Sequence, residues 1–282
     1  MCITELHDLN SAVDRRRFLK LGAATVATGG LVSGLEAKTA SAITDGAPLR
    51  RLSIDNVVDL THVLSPTTPL LLPLLPKFSL VNLATHEESG LYANQIVVNE
   101  HSGTHFDAPI HFDPRGQTTA EIPARSLVAP AVVVDIREKA RRDPDTLLTM
   151  DDVAAWEARH GRIPDGAAIL LHSGWAGRIG DVQAMRNVGP DRKAHFPGYS
   201  VEVAQFLRGE RRIVGIGTDT MSTDPGVSER YEVHRTLMAV NVWMLESVAR
   251  LDEIPPAGAH IFVGAPNHAG GSGGPARLIA VW

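Results

Sequence analysis

The chain has 282 residues, 44% of them hydrophobic, and a formal net charge of −5 at pH 7. That length and apolar share can bury a full globular core. The acidic balance, with no long basic run in the body, argues against nucleic acid or an anionic membrane surface as partner, and at 5% aromatic residues a substrate pocket has few rings to draw on.

The N-terminal segment stands apart from the rest. Arg15-Arg16-Arg17-Phe18-Leu19-Lys20 precedes a weakly apolar stretch from Leu21 to Leu35, and Ala40-Ser41-Ala42 has the small-residue pattern of a cleavage site. This order predicts a signal peptide over residues 1–42, and the arginines before Phe-Leu-Lys point to the twin-arginine route and a periplasmic or secreted product. The apolar stretch is too short and too Gly-rich for a stable membrane span. Cleavage would remove Cys2, the chain's one cysteine. The mature protein, residues 43–282, must then be held without disulfides, by its core and by any metal it binds.

After a polar lead-in, residues 57–60 read as a strand. Four prolines in 65–76 predict an irregular loop. Alternating runs at 78–84 and 91–99 predict strands, and 131–136 is a β-branched run suited to a buried one. Thr149 with Asp152 forms a capping-box start for a helix through Trp156 that stops at Gly161. A buried strand is expected at 167–172. Ser200 caps a helix ending at Gly209, a strand follows at 212–216, and 259–263 and 276–282 close the sheet. The mixture fits α/β or α+β.

The run from His101 to Phe112 holds three imidazoles and a carboxylate: His101, His105, Asp107 and His111. Neutral imidazole and carboxylate are common ligands for zinc and manganese. Gly103 and Pro109 disfavour a helix here, which predicts a strand and tight loop turning the ligands toward one point. The pattern HxGTHxDxPxHF resembles the cyclase family of metal-dependent hydrolases, which includes bacterial kynurenine formamidases, isatin hydrolases and some dienelactone hydrolases. Val58-Asp59-Leu60-Thr61-His62 is similar to that family's opening strand and Leu170-Leu171-His172-Ser173-Gly174-Trp175 to its central strand. Phe196-Pro197-Gly198-Tyr199-Ser200 and Gly215-Ile216-Gly217-Thr218-Asp219-Thr220 follow in family order. Gly271-Ser272-Gly273-Gly274-Pro275-Ala276-Arg277 resembles the closing segment. The resemblance implies a single α/β domain of the swivelling β/α/β type with a central mixed β-sheet, usually in a homo-oligomer.

It also implies the site. His101, His105 and Asp107 would hold a first divalent metal, zinc or manganese. Asp107 would bridge to a second held by His234 and Glu246, giving one or two ions per chain. On one continuous helix His234 and Glu246 would lie about 18 Å apart, so joint ligation requires a turn: a short helix near 231–239, then a returning strand over 242–246. His111 is the candidate for proton transfer, since a solution pKa near 6.5 suits acid and base duty. Trp175, Phe112, Phe78 and Tyr92 are candidate pocket rings. His172 reads as a hydrogen-bonded core residue, and Asp219 and Asp224 as turn formers.

The expected reaction is hydrolysis of the C–N bond of a small amide, formamide or cyclic amide by metal-activated water. Lactone hydrolysis, a cyclase or dehydratase reaction at the same site, and a non-catalytic exported metal- or ligand-binding protein are the alternatives. Export argues against formamide cleavage in cytosolic tryptophan breakdown. The proline-rich loop also departs from the shorter, more polar version expected of kynurenine formamidases. An isatin-like cyclic amide or a lactone is at least as good a substrate.

Overall fold

The computed structural model describes residues 54–68 and 78–282. The expected leader and residues 69–76 of the proline-rich loop lie outside the described residues, and the described start of that loop, Pro66–Thr67, is a turn.

A nine-stranded sheet organises the domain. Its centre is parallel: β5 (Val128–Asp135), β7 (Ala168–His172), β9 (Gly215–Thr218) and β10 (Trp243–Glu246) lie side by side. Antiparallel strands extend both edges. Beyond β5 come β11 (His260–Gly264), β13 (Arg277–Val281) and β1 (Val57–Asp59). Beyond β10 come β4 (His105–Asp107) and β12 (Gly273–Pro275). The mixed sheet of the α/β class is therefore present. Two small ribbons stand outside it: the hairpin of β2 (Ser79–Ala84) and β3 (Ala93–Val97), and a parallel pair of β6 (Leu147–Leu148) and β8 (Gly198–Tyr199).

The parallel centre is buried on both faces, so its strands read as unbroken apolar runs. Successive side chains alternate between faces. Val132, Val134, Ile169 and Leu171 pack toward one core with Trp156, Val203 and Leu237. Val133, Leu170, Phe106 and Leu245 pack into the other with Trp243, Ile261 and Leu278. Among the described residues the helices, in chain order, are α1 (His86–Ser89), α2 (Arg137–Arg142), α3 (Met150–His160), α4 (Val182–Arg186), α5 (Val201–Glu210) and α6 (Glu232–Met238). The apolar sides of α3, α5 and α6 cover the first face.

Local chemistry sets the helix ends as expected. Thr149 and Asp152 form the reciprocal capping box of α3, which stops at Gly161, at a positive φ of 88° that favours glycine. The Ser200 hydroxyl accepts from the Val203 amide at the start of α5, which runs one residue past Gly209. One strand is displaced from its expected place at 212–216 and lies at Gly215–Thr218. The reason is packing. A Cβ on Gly215 would sit 2.1 Å from the Trp243 ring and one on Gly217 2.8 Å from Leu170. Neighbouring side chains fill the space these glycines leave, so a central strand is built from residues of poor strand propensity.

Candidate metal centre

The site forms where β4 pairs with β10. His105 and Asp107 are two residues apart on β4 and so share one face. Antiparallel pairing sets Glu246 opposite His105 and Met244 opposite Asp107. Phe106 and Leu245, between them, point into the core on the other side. The turn between α6 and β10 brings His234 onto the same face, as required if His234 and Glu246 are to meet. His234 Nε2 lies 3.2 Å from Glu246 Oε1 and 3.7 Å from Asp107 Oδ2. His101, in the loop before β4, places Nδ1 2.5 Å from Asp107 Oδ1.

The five side chains converge on Asp107, with a grouping that differs from the expected one. Asp107 sits between two sets: His101, Asp107 and His111 on one side, His105, Asp107 and Glu246 on the other. His105 thus faces Glu246, at 3.4 Å, and is also 3.2 Å from Asp107. Its place on β4, opposite Glu246, decides this. His111 follows on a single helical turn, Pro109–His111, and its ring stacks on His101 with centroids 3.8 Å apart.

The donor set fits a divalent cation. His105 is directed by an Nδ1–H bond to the Gly103 carbonyl (2.9 Å), and its buried Nε2 lies between the Asp107 and Glu246 carboxylates without a well-aligned hydrogen bond to either. A buried nitrogen without a well-aligned partner is costly unless something binds it. Asp107 and Glu246 are both buried at 5% exposure or less, and two buried carboxylates in one cluster call for compensating positive charge. Burial works to raise the Asp107 pKa, but the neighbouring His105 charge and hydrogen bonds from His101, His105 and His234 prevail and hold it well below the usual carboxylate range. Burial disfavours charge on His105, yet Asp107 and Glu246 outweigh it and push that pKa up to about 10. The same contest, with Asp107, Asp224 and Glu246 as partners, holds His234 well above the ordinary imidazole value. The cluster draws in cations, as a metal site does. His111 goes the other way: desolvation beside the cluster lowers its pKa to about 4, although the residue keeps an exposed side.

A nine-stranded mixed sheet with an Asp-centred His/Glu cluster at the β4–β10 junction can be compared with known proteins. The "Putative cyclase" family model matches residues 58–225. An isatin hydrolase of Roseibium aggregatum is 34% identical over 241 residues, 80% of this chain and 91% of the relative. The chain belongs to the cyclase family. A kynurenine formamidase of Geobacillus thermodenitrificans is 26% identical over 60% of this chain and 70% of the relative. The structure of isatin hydrolase A from Ralstonia solanacearum superposes with a TM-score of 0.75 at 40% identity, covering 80% of this chain and 91% of that one. An isatin hydrolase bound to the product analogue thioisatinate gives 0.76 at 33%, over 80% and 92%. As a cyclase-family member, the chain is a metal-dependent hydrolase acting on a small molecule.

The candidate pocket rings separate. Phe112 packs on His234 (4.6 Å between centroids) and edge-on to His111 (4.7 Å). Trp175 is a core residue instead of a pocket wall. It is 2% exposed among Met185, Phe196 and Met221, with its indole N–H donating to the Met185 carbonyl. Tyr92 is exposed on the hairpin and stacks on His86, and Phe78 is half-buried at the entry to β2. Tyr231, which carries no sequence signal, contacts both Phe112 (5.4 Å) and His234 (6.0 Å).

Two residues taken as turn formers do more than turn. The buried Asp219 carboxylate accepts from the amides of Ser173, Gly174 and Trp175 and from the Ser173 hydroxyl, tying the end of β7 to that of β9. Asp224 accepts from His234 Nδ1 (2.6 Å) and from the first amides of α6, Val233 and His234. It fixes the His234 tautomer so that Nε2 faces the cluster. Thr223 donates its amide to Glu246 Oε1 (3.1 Å). Ten residues and a loop separate Asp224 from His234, and only the fold joins them. Among the described residues no helix is long and apolar enough to cross a membrane.

Proposed function

We propose that the chain is an exported hydrolase that opens the C–N bond of an isatin-type cyclic amide, using zinc or manganese held by His101, His105, Asp107, His234 and Glu246. The observation that carries this reading is the buried cluster around Asp107, with Nε2 of His105 turned in between the Asp107 and Glu246 carboxylates. The choice of a cyclic amide over a formamide is supported by two relatives with isatin hydrolase in their names, at 34% and 40% identity over 91% of their length. The formamidases match at 26–27% over 70–81%. Nitrogen and oxygen donors without thiolate suit either metal.

A divalent cation at this site supplies water activation and polarisation of the carbonyl oxygen. The chain's own groups do the rest. A neutral His111 imidazole accepts a proton from the attacking water at a ring nitrogen and returns it to the leaving amide nitrogen. Its stacking on His101 fixes the ring plane. Phe112 and Tyr231 offer an apolar wall for an aryl ring beside His234. Export rests on the pattern in residues 1–42, and the mass of the mature N-terminus tests it.

A homo-oligomer is part of the proposal. The β2–β3 hairpin exposes Leu80, Val81, Leu83 and Ile96, and a lone two-stranded hairpin is marginal in water. A second copy covering it would remove that apolar surface, and light scattering tests the mass.

The deciding assay compares isatin, a formanilide and an aryl lactone on enzyme stripped with chelator and reloaded with zinc or manganese. The expected result is turnover of isatin above the others, giving a product heavier by one water. A faster formanilide reaction would overturn the substrate assignment. A product of unchanged or lower mass would favour a cyclase or dehydratase.

A further inference from the structure

The loop ahead of β4 and the closing segment meet beside His101 in a network that the proposed reaction does not use. Ser272 Oγ lies 3.0 Å from His101 Nε2 and 2.5 Å from Glu100 Oε2. Glu100 Oε1 also accepts from the Ser272 amide (3.2 Å) and meets His268 Nε2 at 2.7 Å. A carboxylate only accepts and a hydroxyl has one proton. The Ser272 proton goes to Glu100, so Ser272 Oγ must accept from His101, and His101 therefore carries a proton on Nε2. At 2.5 Å from the acceptor-only carboxylate of Asp107, Nδ1 donates as well; with Ser272 and Glu100 holding the Nε2 proton, the Nδ1 proton is the one a metal would replace. His105 and His234 have the opposite arrangement: their Nδ1 atoms bond Gly103 and Asp224, leaving Nε2 toward the cluster.

The glycines around Ser272 make the arrangement possible. A Cβ on Gly273 would stand 2.8 Å from His101 Cε1 and 3.2 Å from its Nδ1, and one on Gly271 would stand 2.3 Å from His268 Nε2. Only residues without a side chain let the closing segment press this near to His101.

We infer that Glu100 and Ser272 are positioning residues that act as one unit, fixing His101 as the Nδ1 donor to the metal. The inference rests on the metal-site reading above. Groups that orient a metal-ligating histidine typically change metal affinity about 10–100-fold when removed. Because Glu100 acts on His101 through the serine, the two deletions should not add.

The test is Zn²⁺ affinity, by competition with a chromophoric chelator, on stripped wild type, Ser272→Ala, Glu100→Ala and the double variant, with a thermal melt of each. The expected result is a loss of about 10–100-fold in Ser272→Ala and little further loss in the double variant. Nitrogen-15 spectra of the zinc-loaded wild type should show His101 protonated at Nε2. Unchanged affinity in Ser272→Ala, independent additive losses, or protonation at Nδ1 would each overturn the inference. If Glu100→Ala does not fold, Ser272→Ala and the His101 spectrum decide alone. A wild type that takes up no Zn²⁺ would overturn both this inference and the metal-site reading. Normal uptake with unaltered variants would overturn this inference alone.

Discussion

Replacing Asp224 with Asn removes one charge and little volume, and its consequence can be worked from the structure. Asp224 is 1% exposed and accepts three N–H groups: Val233 (2.9 Å), His234 (3.1 Å) and His234 Nδ1 (2.6 Å). Val233 N–H uses Oδ1 while His234 N–H and Nδ1–H share Oδ2, so an asparagine's one carbonyl oxygen cannot serve all three, and with its NH₂ on the Oδ2 side both His234 donors lose their acceptor. The charge-assisted bond to the ring contributes about 1.5–3 kcal/mol. Losing the group that orients a ligating imidazole should weaken metal binding about 10–100-fold, or about 1.4–2.8 kcal/mol. Competition for Zn²⁺ with a chromophoric chelator reads the affinity. Melting of the metal-free protein reads the fold, where about 2 kcal/mol corresponds to a fall of about 4–8 °C. A variant that melts lower yet binds Zn²⁺ within twofold of wild type would refute the claim that Asp224 sets the His234 tautomer for ligation.

Other expectations are as direct. His111→Ala should keep its metal, measured by elemental analysis, and lose about 10²–10⁴ in kcat; equal loss of metal would make His111 a ligand. Leu170→Ala, at a position fully buried between β5 and β9, should cost about 2–5 kcal/mol in denaturant unfolding. Gly215→Ala forces a methyl group against the Trp243 ring and should cost about 1–3 kcal/mol in the same assay. His195 is hydrogen-bonded to Asp191 and Asp145, which raise its pKa. A raised pKa contributes stability fully present below the unfolded value of about 6.5 and lost as pH rises through the folded value. The Tm gap between wild type and His195→Gln should therefore be widest at mildly acid pH and close in alkali. A gap that widened with pH would contradict the sign.

Much of this molecule is legible in its sequence because the decisive signals are local. The capping pair Thr149/Asp152, the Ser200 cap and the apolar runs of β5 and β7 mark their own elements. The His101–His111 run gathers four of the cluster's side chains into eleven residues. What the sequence hides depends on which strands become neighbours. The pairing of β4 with β10 moves His105 to the Glu246 side of Asp107. Asp224, Thr223 and Ser272 join the site through loops from distant segments, where an Asp or Ser beside Gly or Pro reads as a turn. Trp175, a candidate ring beside a buried strand where aromatics more often belong to the core, is buried on Met185, Phe196 and Met221. The β9 glycines look like a break and are a packing solution.

The central claim is that one buried carboxylate organises the metal centre, since Asp107 faces His101, His105 and His234 at once. Metal equivalents per chain, measured on protein purified without chelator, test it directly when wild type is set beside Asp107→Asn. The account predicts one or two equivalents of zinc or manganese in the wild type and none in the variant. Metal retained by folded Asp107→Asn, or no metal bound or taken up by the wild type, would contradict it.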